Sequence, residues 1–293
     1  IIQKLLIHDD LEVKKYAIAS LYIMRDSQPE LVNMMDLKVE IGTSSKLAIE
    51  LCKTFNSKYG ISPDSLSNEE LEILLSKLEP VSDISNYQIT EFITDCFKRV
   101  PRLIVQLLLK RIQYYNKNYD MNYHSLPYTE FSLQLDALTE SEEYKDIIRD
   151  ILDYVINPLN RDFLIPELFK LISFNFSSTS LNVLDEWINS QEKERLQAAS
   201  YLLRNSPKSF VINHLKFVSN LLEEADEFGD TCYETVCYDL QESFSISEHS
   251  GILGENLYGN EDIALHVKVA KIAEQFIRGT PSHKFYQSLS NNI

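Results

Sequence analysis

The residues of this chain whose types and spacing could do chemistry are its glycines, histidines and cysteines. Three of the seven glycines fall in one segment, Gly251-Ile252-Leu253-Gly254-Glu255-Asn256-Leu257-Tyr258-Gly259. The gap from Gly254 to Gly259 is that of a phosphate-binding loop, which continues with Lys and then Ser or Thr so that an ammonium meets the phosphates. Here Asn260 and Glu261 follow, and a carboxylate at that place repels phosphate. The segment is read as a long exposed loop, and loops of that length commonly have a binding role. The six histidines, His8, His124, His214, His249, His266 and His283, form no HExxH or HxxxH spacing. His8 beside Asp9 and Asp10 fits a helix cap, and His266 near Glu261 and Asp262 fits a charge contact on adjacent turns. Cys232 and His249 have the types of a nucleophile and its base. A cysteine is more often a small buried apolar residue, however, and no CxxC joins Cys52, Cys96, Cys232 and Cys237. They are expected as buried reduced thiols, which fits a cytoplasmic protein. No GxSxG elbow is present. No catalytic residue, cofactor or metal ligand is assigned, and the expected chemistry is recognition.

Recognition needs surface groups. Tyr114, Tyr115, Tyr119, Tyr123 and Tyr128 cluster around a polar stretch, and tyrosine outside a core is enriched at interfaces. Glu223, Glu224, Asp226 and Glu227 form an acidic run that could dock a basic partner. Leu257 and Tyr258 belong to the glycine-containing loop. The net charge of −16 repels nucleic acid backbones, so nucleic acid is not an expected partner. Lys110-Arg111, followed by Lys117, is the densest basic stretch and reads as charge on a solvated helix face. No apolar run approaches the ~20 residues of a membrane span, and no signal peptide is visible.

These residues must be positioned by helices. Gly is scarce and the nine Pro are spread along the chain, which suits helices broken at intervals. Asp9 or Asp10 caps a helix carrying Leu11, Val13, Tyr16, Ala17 and Leu21, and Pro29 opens a second, short helix through Met35. Further helices are expected over 45–55, after the capping box Ser67…Glu70, over 86–98, and from Pro101 to Tyr115. The last is apolar nearly all round and should be buried. Asn116 to Pro127 is expected as a loop. Phe131–Leu138 and Tyr144–Ile156 form the next pair, ended by Pro158. Then come 162–173, 181–188 with the single Trp187, 191–203, 210–222, 232–244 and a last long helix capped by Glu261 or Asp262. Pro281 opens a terminal half-helix. That is about fourteen helices joined mostly by short loops. The expected fold is all-α, antiparallel hairpins stacked as a HEAT-like α-solenoid, with a less regular array over 1–158 and a more regular one over 159–293. No fixed repeat period is visible. The helix already under way at Ile1 suggests part of a longer chain.

Glu12-Val13-Lys14-Lys15-Tyr16-Ala17-Ile18-Ala19-Ser20-Leu21 resembles the second helix of a HEAT unit. Leu184-Asp185-Glu186-Trp187, Ala198-Ala199-Ser200-Tyr201-Leu202-Leu203 and the closing segment 279–289 are similar to C-terminal helical arrays of bacterial STAND-type NTPase proteins of conflict and antiphage systems. That resemblance implies a sensor or scaffold that binds a protein partner through its concave face and loops. It carries over no site residue. The rival readings are an all-α enzyme whose site lies in a buried polar pocket, a stand-alone adaptor, and a nucleic-acid groove.

Overall fold

The computed structural model describes residues 1–25, 27, 28, 30, 32, 38–56, 58, 60–118, 122–127, 142–173, 176–245 and 260–292. These residues are all-α, with no strand among them. Phe131–Leu138, the whole glycine-containing loop 251–259 and all of 29–35 except Glu30 and Val32 lie outside what is described. The last long helix begins at Asn260, so Glu261 and Asp262, expected as its cap, fall within its first turn.

The chain divides into two compact units, 1–147 and 148–293. In the first, α1 (Ile2–Leu6), α2 (Leu11–Met24), α3 (Ser45–Thr54), α4 (Asn68–Lys77), α5 (Tyr87–Arg99) and α6 (Pro101–Asn118) follow one another, and α7 (Glu142–Ile156) runs into the second. The cap residues read from the sequence work as expected. Asp10 Oδ1 accepts from the Glu12 and Val13 amides, and Ser67 and Glu70 make the reciprocal capping box of α4. His8 Nδ1 accepts from the Asp10 amide, the helix-cap role expected of it. Every third or fourth residue of α5, through Ile89, Phe92, Ile93, Cys96 and Phe97, is buried. Burial of such side chains contributes about 1.5–3 kcal/mol each.

The second unit holds α8 (Leu164–Ile172), α9 (Ser178–Ile188), α10 (Lys193–Leu202), α11 (Lys208–Asn213), α12 (Leu215–Glu227), α13 (Asp230–Ser245), α14 (Asn260–Ala273) and α15 (Pro281–Asn292). The single helix expected over 210–222 is two. His214 leaves helical backbone angles, its ring stacks on Phe210 and its Nδ1 sits 3.1 Å from the Phe210 carbonyl. An aromatic chain, Phe169–Phe176–Phe210–Phe217, crosses this core with centroid spacings of 5.9, 4.6 and 5.9 Å.

Among the described residues, the extensive packing within each unit joins helices no more than three apart in chain order. In the first, α2 packs on α1 and α3, α3 on α5, and α6 on both α4 and α5; in the second, α10 packs on α8, α9, α12 and α13, and α12 on α9, α13 and α15. Many of the long-range side-chain contacts share a spacing of 35 to 39 residues, while those that tie α15 to its unit, Ser219–Ser282, Tyr233–Pro281 and Val211–Tyr286, span 63, 48 and 75. Ser45 meets Ser82, 37 residues on, at 3.1 Å. Phe55 meets Phe92 with ring centroids 6.4 Å apart. Arg149 meets Glu186, 37 on, at 3.2 Å, and Asp185 meets Asn220, 35 on, at 3.2 Å. Glu167 accepts from Asn205, 38 on, at 2.9 Å. Ser200 and Ser206 meet Asp239 and Ser243, 39 and 37 on, at 2.5 and 2.9 Å. Partners advance together along α3 and α5 and along α10 and α13, so the helices of each of these two pairs run parallel. The loops do the same in the first unit. The Ser82 amide donates to the Thr43 carbonyl and the His124 amide to the Ser82 carbonyl, at 3.2 and 2.7 Å, with a parallel bridge at Asp83 and His124.

Candidate interaction surfaces

The tyrosine cluster is built around Arg111. Its helix, α6, runs to Asn118, past the expected end at Tyr115, and Asn118 Nδ2 donates back to the Tyr114 carbonyl at 2.8 Å. The expectation that Lys110-Arg111 lies on a solvated face fails for Arg111, which is fully buried. Its guanidinium donates to five backbone carbonyls. Those of Glu79, Val81 and Ser125 lie at 3.1, 2.8 and 3.0 Å, and those of Leu78 and His124 complete the set. Leu78, Glu79 and Val81 follow the end of α4, where helix carbonyls lose their intrahelical donors. A planar fork of five N–H groups is the side chain that can serve them all. Burial pulls its pKa down to about 10, which leaves it charged at neutral pH. Lys110, by contrast, is exposed and pairs with Glu79 at 2.9 Å.

Tyr123 closes this knot. It is buried, its ring lies 4.6 Å from the Arg111 guanidinium and 5.0 Å from the Tyr114 ring, and its hydroxyl donates to the Glu79 carbonyl. Tyr123 therefore anchors residues 122–127 inside the first unit. Tyr114 and Tyr115 are half-buried, and Tyr119 and Tyr128 lie outside the described residues.

The acidic run lies at the end of α12. Glu223, Asp226 and Glu227 are exposed and Glu224 is half-buried. Burial, then Glu227 and Glu223, push the Glu224 carboxyl above its ordinary pKa. Four carboxylates here sit at the partially negative end of the helix, where like charges repel, and of the four Glu223 accepts from Ser219 Oγ at 3.0 Å. Leu257 and Tyr258 lie outside the described residues.

A second polar assembly was not foreseen. Asp239 on α13 is buried and accepts from Ser200 Oγ at 2.5 Å and from Arg204 Nε at 2.7 Å. Burial raises its pKa, against the opposing pull of Ser200, Arg204 and Arg161. Arg204 sits over the rings of both Tyr201 and Tyr238, at 5.1 and 4.9 Å, and Arg161 lies 5.7 Å from the Tyr201 centroid. The result is an alternating Arg–Tyr–Arg–Tyr stack that ends in Tyr238, 52 % exposed. The sequence carried a signal for both assemblies. Arg111 falls seven residues after Ile104 and three after Leu108, and Asp239 seven after Cys232 and three after Val236, so each lies on its helix's apolar face.

Cys52, Cys96 and Cys232 are buried, Cys237 is half-buried, and all four are free thiols. Burial raises each thiol, that of Cys237 to about 11, so none is held as a thiolate. His249 lies outside the described residues, so the Cys232–His249 pair does as well. Among the described residues no group of three or more His, Cys, Asp and Glu could hold a metal ion. Among them too, no helix is long and apolar enough to cross a membrane. Comparison with protein-family models, with curated proteins and with solved structures finds no match to this chain.

Proposed function

We propose that this chain is a protein-binding scaffold or sensor, a stack of helical hairpins that presents a long surface to a protein partner. The observation that carries this reading is the serial packing. Helices contact near neighbours in chain order, and many of their side-chain bonds recur at separations of 35 to 39 residues. Hairpins stacked at a regular interval make an extended ridge or groove, which suits recognition of another chain. The carboxylates at the end of α12 and the exposed Tyr238 supply charge and aromatic area on such a surface. The narrower reading, a cytoplasmic sensor array of a bacterial STAND-type defence protein, is supported only by the resemblance of residues 184–187, 198–203 and 279–289. An NTPase module encoded in the same reading frame is its test.

The scaffold reading is tested by photo-crosslinking in the native cell, with the crosslinker placed in turn at Tyr115, Leu159, Glu227 and Tyr238. A discrete protein adduct from some positions and not others is the expected result. Loss of every protein adduct, at all four positions, overturns the reading.

A further inference from the structure

The exposed face of α13 carries Glu234, Tyr238 and Glu242 at successive turns, spaced four residues apart, so all three lie on one side of the helix. Glu234 and Tyr238 are exposed and Glu242 is half-buried. Large exposed aromatics are expensive to hold in one orientation, yet Tyr238 is braced. Arg204 lies against its ring at 4.9 Å, and Arg204 is itself fixed by the buried Asp239 at 2.7 Å. One face of the ring is thus used internally, its hydroxyl donates to the Glu242 carboxylate, and the residue stays 52 % exposed.

The charge around this ring specifies what it suits. Between Phe217 and Val267 the chain has twelve Asp and Glu and no Lys or Arg, out of 44 and 28 in the whole sequence. Eight of the twelve lie on α12 and α13, and among the described residues Asp239 alone of these eight has a Lys or Arg ion-pair partner. An anionic ligand would meet repulsion here. A cation that stacks on an aromatic face would meet a ring flanked one turn away on each side by a carboxylate. Arginine fits better than lysine, because its flat guanidinium stacks on the ring while its edge donates two N–H groups to a carboxylate.

We infer that the Glu234–Tyr238–Glu242 face of α13 is the docking surface for an arginine-bearing basic segment of a protein partner. This rests on the scaffold reading and names the chemistry of its partner. Arg204 sets the position of Tyr238 and itself makes no contact with the incoming segment. The acidic end of α12 steers the segment toward α13 by long-range attraction and governs the on-rate more than the final contact.

The experiment uses the full chain and a fluorescein-labelled alternating Gly-Arg peptide, with Gly-Lys and Gly-Glu peptides of equal length, and reads anisotropy at low and at physiological salt. The Gly-Arg peptide is expected to bind more tightly than Gly-Lys, and Gly-Glu not at all. Tyr238→Ala lowers the Gly-Arg affinity about five-fold, as a lost cation–π contact of about 1 kcal/mol implies, while Tyr238→Phe retains it. Glu234→Gln with Glu242→Gln lowers it several-fold. Glu69→Gln with Glu72→Gln, which removes the same charge from α4, leaves it within about two-fold. Each variant's urea midpoint is compared with the parent's to confirm folding. Equal losses from the two double variants, or unchanged affinity in Tyr238→Ala, would mean diffuse attraction and overturn the assignment. A native crosslinked complex that survives Tyr238→Ala also overturns it and leaves the scaffold reading standing. Peptide effects as described with no protein adduct in cells would instead remove the scaffold reading.

Discussion

Arg111→Ala strips five carbonyls of their donor in one step. Each is in or near the buried end of α4 or in the segment 122–127, where water cannot replace a guanidinium. A loss of about 3–5 kcal/mol in urea unfolding is expected, the range for removing a buried charge from a full set of partners. Arg111→Lys should recover little of it, because an ammonium has three donors and cannot span both segments. Hydrogen exchange should rise first at the His124 amide, which donates to Ser82. Glu91 gives a pH-dependent counterpart. Burial alone would raise its carboxyl, but bonds from Lys58 at 3.1 Å, from Asn56, and from Tyr87 at 3.1 Å outweigh it and hold the pKa below the ordinary value. A folded carboxyl with a lowered pKa adds stability that is fully present above the unfolded value of about 4.3. That stability is lost as pH falls through the folded value. Glu91→Gln is therefore expected to be less stable than the parent at neutral pH by about 1 kcal/mol. The gap should close as the pH is taken below about 4. A gap that stays constant across that range would show that the carboxylate's charge is not what the neighbours bind.

The turn after α3 sets a constraint of a different kind. Ile61 N donates to the Thr54 carbonyl and Gly60 N to the Asn56 carbonyl, both at 2.7 Å, so the chain doubles back tightly against the helix end. A Cβ on Gly60 would stand 2.2 Å from the Thr54 oxygen and 2.8 Å from the Asn56 nitrogen, both backbone atoms that cannot swing aside. Gly60→Ala should cost about 2–3 kcal/mol, measured as a lower urea midpoint, with the loss centred on α3 and its contact with α5. At this scale much of the fold was legible. Asp10, Ser67 and Glu70 announced their helix starts because capping chemistry is local, and the 3.6-residue periodicity marked the buried faces. The repeat interval was not legible, and the contacts show why. Residues about 37 apart meet both as copies, Ser45 with Ser82, Phe55 with Phe92 and Ser206 with Ser243, and as complements, Arg149 with Glu186, Glu167 with Asn205 and Ser200 with Asp239. Three like pairs spread between Ser45 and Ser243, mixed with unlike ones, are too sparse to show as a period along the chain. Arg111 reads as surface charge by residue type, although its place on the apolar face of α6 marks it for burial; its partners, backbone carbonyls, are what no residue type reveals.

On the scale of the whole molecule the −16 charge is unevenly placed. The stretch 217–267 holds twelve carboxylates without a Lys or Arg. The remainder of its unit, 148–216 and 268–293, holds twelve Lys and Arg against nine Asp and Glu. Charge spread for solubility alone would be interspersed. Segregation instead raises repulsion within α12 and α13, most of all where Glu223, Glu224, Asp226 and Glu227 crowd a helix C-terminus. Such an arrangement lowers stability for the sake of a surface, so relieving it should stabilise the fold. Glu227→Lys replaces an exposed acid with a base at the negative end of α12 and is expected to raise stability by about 0.3–1 kcal/mol. Added sodium chloride should raise the parent's urea midpoint by screening the same repulsion, and should raise that of Glu227→Lys less. A Glu227→Lys variant no more stable than the parent, with an equal salt response, would show that the carboxylates of α12 are already balanced within the fold. The surface they form would then have no demand for a basic partner.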